Sequence, residues 1–213
     1  MSVILINPNS TEAMTDMMVS AASKAAPDLE FAGWTSNDGP PAIQGVADGA
    51  LAEGPFLKLI AKANDEQADG IIIGCFDDTA LAEAARLAHC PVIGIGQAAY
   101  FYAALRHWRF SVVTTLAVSV PILEANIARY GLSGYLGRVR ASEVPVLDLD
   151  REPLLAGDKV AGEAAAAQTE DDVDAIILGC GGMAQVLDKV VQSVEIPVLD
   201  PVICAARCFR WLV

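Results

Sequence analysis

Residues 69–75 read DGIIIGC and residues 174–180 read DAIILGC. Each has an acid, a small residue, three aliphatic residues, a glycine and a cysteine. Three or four apolar residues bounded by glycine are too few for a helix and suit a strand buried on both faces, the kind found in parallel sheets. The surroundings repeat as well. CPVIGI at 90–95 matches IPVLDP at 196–201, and SVILIN at 2–7 matches SVVTTL at 111–116. Recurrence of three strand-like runs in one order marks a duplicated unit.

Short aliphatic runs alternate with helix-length stretches in both halves, which predicts parallel sheets with helices on both faces. The expected strands are 3–7, 29–34, 70–74 and 92–95, then 110–115, 137–141, 175–179 and 198–200. The fold class is therefore α/β, with two pseudosymmetric doubly wound lobes. Each lobe carries a mainly parallel four-stranded sheet flanked by helices, and the active site is expected in the cleft between them. The first lobe takes residues 1–96 plus about 200–213, the second 97–199, with the crossover near 96–109. Residues 38–50, DGPPAIQGVADGA, read as a loop over that cleft.

Composition narrows the classes of function. Of 213 residues, 54% are hydrophobic and only 6% aromatic, which suits an aliphatic core. The net charge of −13 argues against nucleic acid, because displacing counterions from a polyanion needs clustered Lys and Arg. No apolar run approaches the roughly 20 residues of a membrane span. The opening MSVILINPNS has neither a basic region nor a cleavage site, so cytoplasmic location is expected. Five cysteines, at 75, 90, 180, 204 and 208, lack both disulfide-like spacing and any C-x-x-C metal pattern. Cys204 and Cys208, four apart on a helix, read as core.

In open parallel sheets ligands bind beyond the carboxyl ends of the strands. Here those ends carry NPNST, GCFDD, VTT and GCGGM. A single buried cysteine is usually a small hydrophobe, but two at equivalent strand ends are expected to sit on opposite sides of one cleft if the lobes are related by a pseudo-twofold axis. Each is expected just before a helix, where free N–H groups favour a thiolate. Asp77 and Asp78 charge the start of their helix and raise the pKa of Cys75. Gly181 and Gly182 let backbone N–H groups approach an anion, which makes Cys180 the more easily ionised thiol. Asn9 reads as a helix cap with Glu12 at N3, leaving Asn9 and Ser10 beside the cleft, and Thr114 and Thr115 occupy the matching place. GIGQAA at 94–99 matches a dinucleotide phosphate turn, but the next strand, FSVVTT, lacks the acid that would bind a ribose. Its glycines belong to the crossover.

Two acid/base groups on opposite faces of one carbon permit stereoinversion without a cofactor or metal. The enolate formed needs fixed donors, available from the amides of Phe76, Gly181 and Gly182 and from the threonine hydroxyls. LINPNST, GCFDDTALAEAAR, RFSVVTTLAVSVPILE and DAIILGCGGM, in that order, resemble the hydantoin racemase branch of the aspartate/glutamate racemase superfamily over essentially the whole chain. That resemblance implies a cofactor-independent isomerase with Cys75 and Cys180 as its catalytic pair. It also implies ligand contacts from Asn9, Thr114, Thr115 and the amides after each cysteine, and frequent homo-oligomers. Amino-acid racemases of the superfamily typically follow the first cysteine with Asn-Thr and the second with Thr. Phe76 and Gly181 stand there instead, which favours a ring such as a 5-substituted hydantoin or allantoin over a zwitterion. Aspartate racemases, decarboxylases and cis-trans isomerases of the superfamily, and a two-lobed small-molecule binding protein, are the rival readings.

Overall fold

A computed structural model describes residues 2–212. The first half runs β1 (Ser2–Asn7), α1 (Glu12–Ala25), β2 (Glu30–Thr35), α2 (Val46–Asp65), β3 (Gly70–Ile73), α3 (Leu81–Leu87), β4 (Val92–Gly94) and α4 (Ile95–Leu105). The second runs β5 (Phe110–Thr114), α5 (Val120–Arg129), β6 (Leu136–Ala141), α6 (Asp148–Arg151), α7 (Pro153–Glu170), β7 (Ala175–Leu178), α8 (Leu187–Ser193), β8 (Val198–Leu199) and α9 (Pro201–Leu212). Two four-stranded sheets result, ordered β2-β1-β3-β4 and β6-β5-β7-β8, and every pairing is parallel. The expected strands lie within a residue or two of these. The expected loop at 38–50 is shorter: Gly45, at φ +92, turns the chain and α2 begins at Val46. Among the described residues, no helix is long and apolar enough to cross a membrane.

Strand alternation sorts the core into three clusters. Ile4, Ile6, Ile71 and Ile73 face outward onto Phe56 and Ile60 of α2 and Leu81 of α3. Val113, Ile176 and Leu178 face Val160 and Ala164 of α7 and Val190 of α8. The third cluster lies between the sheets, where Val3, Leu5 and Ile72 from one and Phe110, Val112 and Ile177 from the other enclose Met18, Tyr100 and Phe209. Each such fully buried side chain contributes about 1.5–3 kcal/mol. The two sheets thus share their inner core, and the cleft opens only at the strand ends. Helix α9 follows β8 of the second sheet, yet it packs on α1 and α4.

Candidate active site

Both cysteine-bearing strands stay paired with a central neighbour for one residue past their last aliphatic position. The Gly74 N–H donates to Ile6 O and the Gly179 N–H to Val113 O, each at 2.8 Å. Cys75 and Cys180 therefore leave their sheets at equivalent places and line one cavity of about 30 Å³. Asn9, Phe76, Thr114, Thr115 and Gly181 line it too, as does Asp77. Ser119 and the apolar Met14, Ile43 and Val146 complete most of its wall. Ser10 is not in that lining; its N–H donates to Pro40 O at 2.9 Å, under the strap that precedes α2. Gly182 stands just outside, in the wall of a neighbouring pocket of about 320 Å³.

Asn9 is placed by an Asx turn rather than by capping. Helix α1 begins at Glu12 with Thr11 at its N-cap, so Glu12 is the first helical residue and not N3. Asn9 Oδ1 accepts from Asn7 Nδ2 and from the Thr11 N–H, each at 2.9 Å. Buried Asn7 also donates to Thr15 Oγ1 and so fixes the whole turn. Thr114 Oγ1 donates to Gly179 O at 3.1 Å, which ties the end of β5 to the peptide ahead of Cys180. The strap is held from both sides: Thr11 Oγ1 donates to Pro41 O at 2.7 Å, and the Val146 N–H to Gln44 Oε1 at 2.9 Å.

The two thiols sit in different backbone settings. Cys180 directly precedes a 3₁₀ turn, Gly181–Val186, whereas after Cys75 the chain passes through left-handed residues at Asp78 and Ala80 before α3 starts at Leu81. Only Cys180 is thus seated at a helix start. Burial pushes its thiol up to about 11, against the pull of the Gly182 and Met183 N–H groups. Burial raises Cys75 further, and the Asp77 carboxylate adds to the rise; the Thr79 hydroxyl, donating to Sγ at 3.4 Å, offsets part of it. Each thiol feels Asp77, whose own carboxyl burial pushes up to about 7.

Asp78 does not start its own helix. Its Oδ1 accepts the Gly96 N–H at 3.1 Å and its Oδ2 the Tyr130 hydroxyl at 2.8 Å, so it caps α4 from a distance. A Cβ at Gly94 would overlap that carboxylate, and one at Gly96 would meet both it and Phe76 O. These close approaches account for the glycines of GIGQAA: the carboxyl group at this helix N-terminus is the protein's own, and burial pushes it up to about 7. Among the described residues no three His, Cys, Asp or Glu side chains converge as a metal site.

Sequence reasoning missed Ser119, Met14, Ile43, Val146 and the Met183 amide. Ser119 left a signal, as a polar residue within the apolar run after TT, and Ile43 and Met183 lie in stretches already placed at the cleft, 38–50 and GCGGM. Met14, Ile43 and Val146 reach the cavity from α1, the strap and the segment after β6, which no local pattern joins.

A family model described as Asp/Glu/hydantoin racemase matches residues 3–209. A hydantoin racemase from Rhizobium meliloti is 38% identical over 208 residues, 97% of this chain and 86% of the relative. One from Pseudomonas sp. (strain NS671) is 32% identical, over 97% of this chain and 84% of its own. The solved structure of an allantoin racemase from Klebsiella pneumoniae superposes with a TM-score of 0.93 at 36% identity, covering 99% of this chain and 86% of that one.

Proposed function

The chain belongs to the Asp/Glu/hydantoin racemase family and is a racemase; from that premise we propose that it inverts C5 of 5-substituted hydantoins by a two-cysteine, two-base mechanism. The supporting observation is the charge of the cavity lining. Two thiols from equivalent strand ends meet there with one carboxylate, Asp77, and among the lining residues there is no Lys, Arg or His. A free amino acid would bring its α-carboxylate to a wall without a cation and beside a buried acid. A neutral ring avoids that cost.

In one direction the Cys180 thiolate removes the C5 proton and the electron pair moves onto the C4 carbonyl oxygen. Amides of Phe76 and Gly181 and the hydroxyls of Thr115 and Ser119 are the donors proposed for that oxyanion, with Asn9 and Thr114 holding the ring. Cys75 then delivers its proton to the opposite face of C5, leaving Cys75 as thiolate and Cys180 as thiol. The other enantiomer takes the reverse course. A thiol pushed up to about 11 is rarely ionised at neutral pH but is a strong base when it is, a match for a weakly acidic carbon. In this reading residues 1–96 with about 200–213 carry Cys75, and residues 97–199 carry Cys180.

The ring's substituent is assigned to the 320 Å³ pocket, which shares Met14 and Val146 with the cavity. Its wall combines Met17, Leu147 and Leu149 with Asp150, Arg151 and Gln185. Those polar groups favour a second reading, allantoin, whose substituent is a ureido group.

The test follows single enantiomers of 5-substituted hydantoins, allantoin and aspartate in deuterated water, by optical rotation and by deuterium entering the α-position. Inversion of a hydantoin with α-deuteration, and none of aspartate, is expected; no exchange with any hydantoin or allantoin overturns the reading. Cys75→Ser and Cys180→Ser should each lower inversion at least a thousandfold. Full inversion by either variant excludes two bases.

A further inference from the structure

Asp200 takes no part in the chemistry above, yet it is almost wholly buried, being only 4% exposed. Its Oδ1 accepts the Ile203 N–H at 2.9 Å and caps α9. Its Oδ2 is buried with no hydrogen-bond partner. The corresponding helix of the first half, α4, is capped by Asp78, and there both carboxylate oxygens are bonded. A buried acceptor without a partner is costly, so a donor supplied by a guest would relieve that cost.

Space for one lies beside it. Asp200 lines two pockets, of about 440 and 170 Å³, that also share Leu187, Ile203 and Arg207. Lys24 of α1 and Arg207 of α9 stand in the larger one, and neither is in an ion pair among the described residues. No residue of the catalytic cavity lines either pocket. The larger pocket thus carries two acids, Asp188 and Asp200, and two cations, Lys24 and Arg207, a mixture that suits a small molecule with an N–H donor at one end and a carboxylate at the other.

We propose that this is a second small-molecule site, taking an open-chain amino acid or ureido acid with its N–H group on Asp200 and its carboxylate on Lys24 and Arg207. The racemase's own ring substrate yields this chemistry when water opens it. The hydroxide of one water adds at C4, the C4–N3 bond breaks, N3 takes that water's other proton, and the ring becomes a ureido acid. A guest there bridges α1 to the segment Ala184–Asp188, which continues from the Gly182 and Met183 amides at Cys180. Occupancy thus reaches the base from a separate pocket.

Calorimetric titration of the full chain with alanine and with N-carbamoyl-alanine distinguishes the two sources. One of them should bind at one molecule per chain. Asp200→Asn keeps an oxygen for the cap but places an NH₂ where Oδ2 stands, and should weaken binding at least tenfold. Lys24→Ala with Arg207→Ala should weaken it as much, which keeps the proposal falsifiable if Asp200→Asn folds poorly. Saturable binding by neither compound overturns the proposal. So does unchanged affinity in the double lysine-arginine variant, or purely competitive inhibition of racemisation that survives Asp200→Asn.

Discussion

Asp77 carries more of the site's character than its place in the sequence indicates. DD after a cysteine resembles an acidic helix start, and that reading fails for both aspartates, because the chain turns through left-handed residues and α3 begins three residues after Asp78. The direction of the effect was legible all the same: an acid close to Cys75 raises its thiol, and amides after Cys180 hold that thiol lower. Alkylation followed against pH should therefore modify Cys180 at lower pH than Cys75; Cys75 reacting first contradicts the assignment. Asp77→Asn removes a negative charge that disfavours both thiolates, so both alkylation curves should move to lower pH, that of Cys75 further. The same variant should improve kcat/KM for a hydantoin with an anionic substituent relative to a neutral one by about tenfold, roughly 1.4 kcal/mol of relieved repulsion. An unchanged ratio means that the carboxylate does not face the substrate.

Among the elements, the strands were readable because short aliphatic runs alternate with helix-length stretches and the pattern occurs twice. Interactions that join distant positions were not. The cap on α4 draws on residue 78 for the carboxylate, 94 and 96 for the room, and 130 for a hydroxyl, which only the folded topology brings together. The second half solves the same problem with the roles exchanged. Asp200 stands where the repeat places Gly94, and caps its helix from within the chain's own next turn. Gly94→Ala, at an unstrained φ of −90, should cost about 2–3 kcal/mol by displacing the Asp78 carboxylate, read from urea denaturation. Gly94→Asp should cost more alone than with Asp78→Ala, since the second change leaves one carboxylate at the helix N-terminus, as at α9. Additive costs in that pair would show that the two positions do not compete for the same place.

For the molecule as a whole, the decisive feature is the core between the sheets. Tyr100 is fully buried there, with ring centroids 5.3 Å from Phe76, 5.7 Å from Phe110 and 6.3 Å from Tyr130. The duplication leads one to expect two lobes with a core apiece, and what the repeat does not disclose is that the inner faces are pooled. Unfolding should accordingly be a single transition for both halves. Tyr100→Ala should lower stability by about 3–5 kcal/mol without splitting that transition; two separate calorimetric peaks would contradict a shared core. Tyr100→Phe, which removes a buried hydroxyl that lacks a partner, should be neutral or stabilising by about 1 kcal/mol. Helix α9 brings a temporal consequence. The sheet it helps to cover is complete at Gly94, but the helix begins only at Pro201, so a ribosome makes the whole second half before that apolar face can close. During synthesis the first half waits for its cover, and its folding is tied to a helix made only after the whole second sheet.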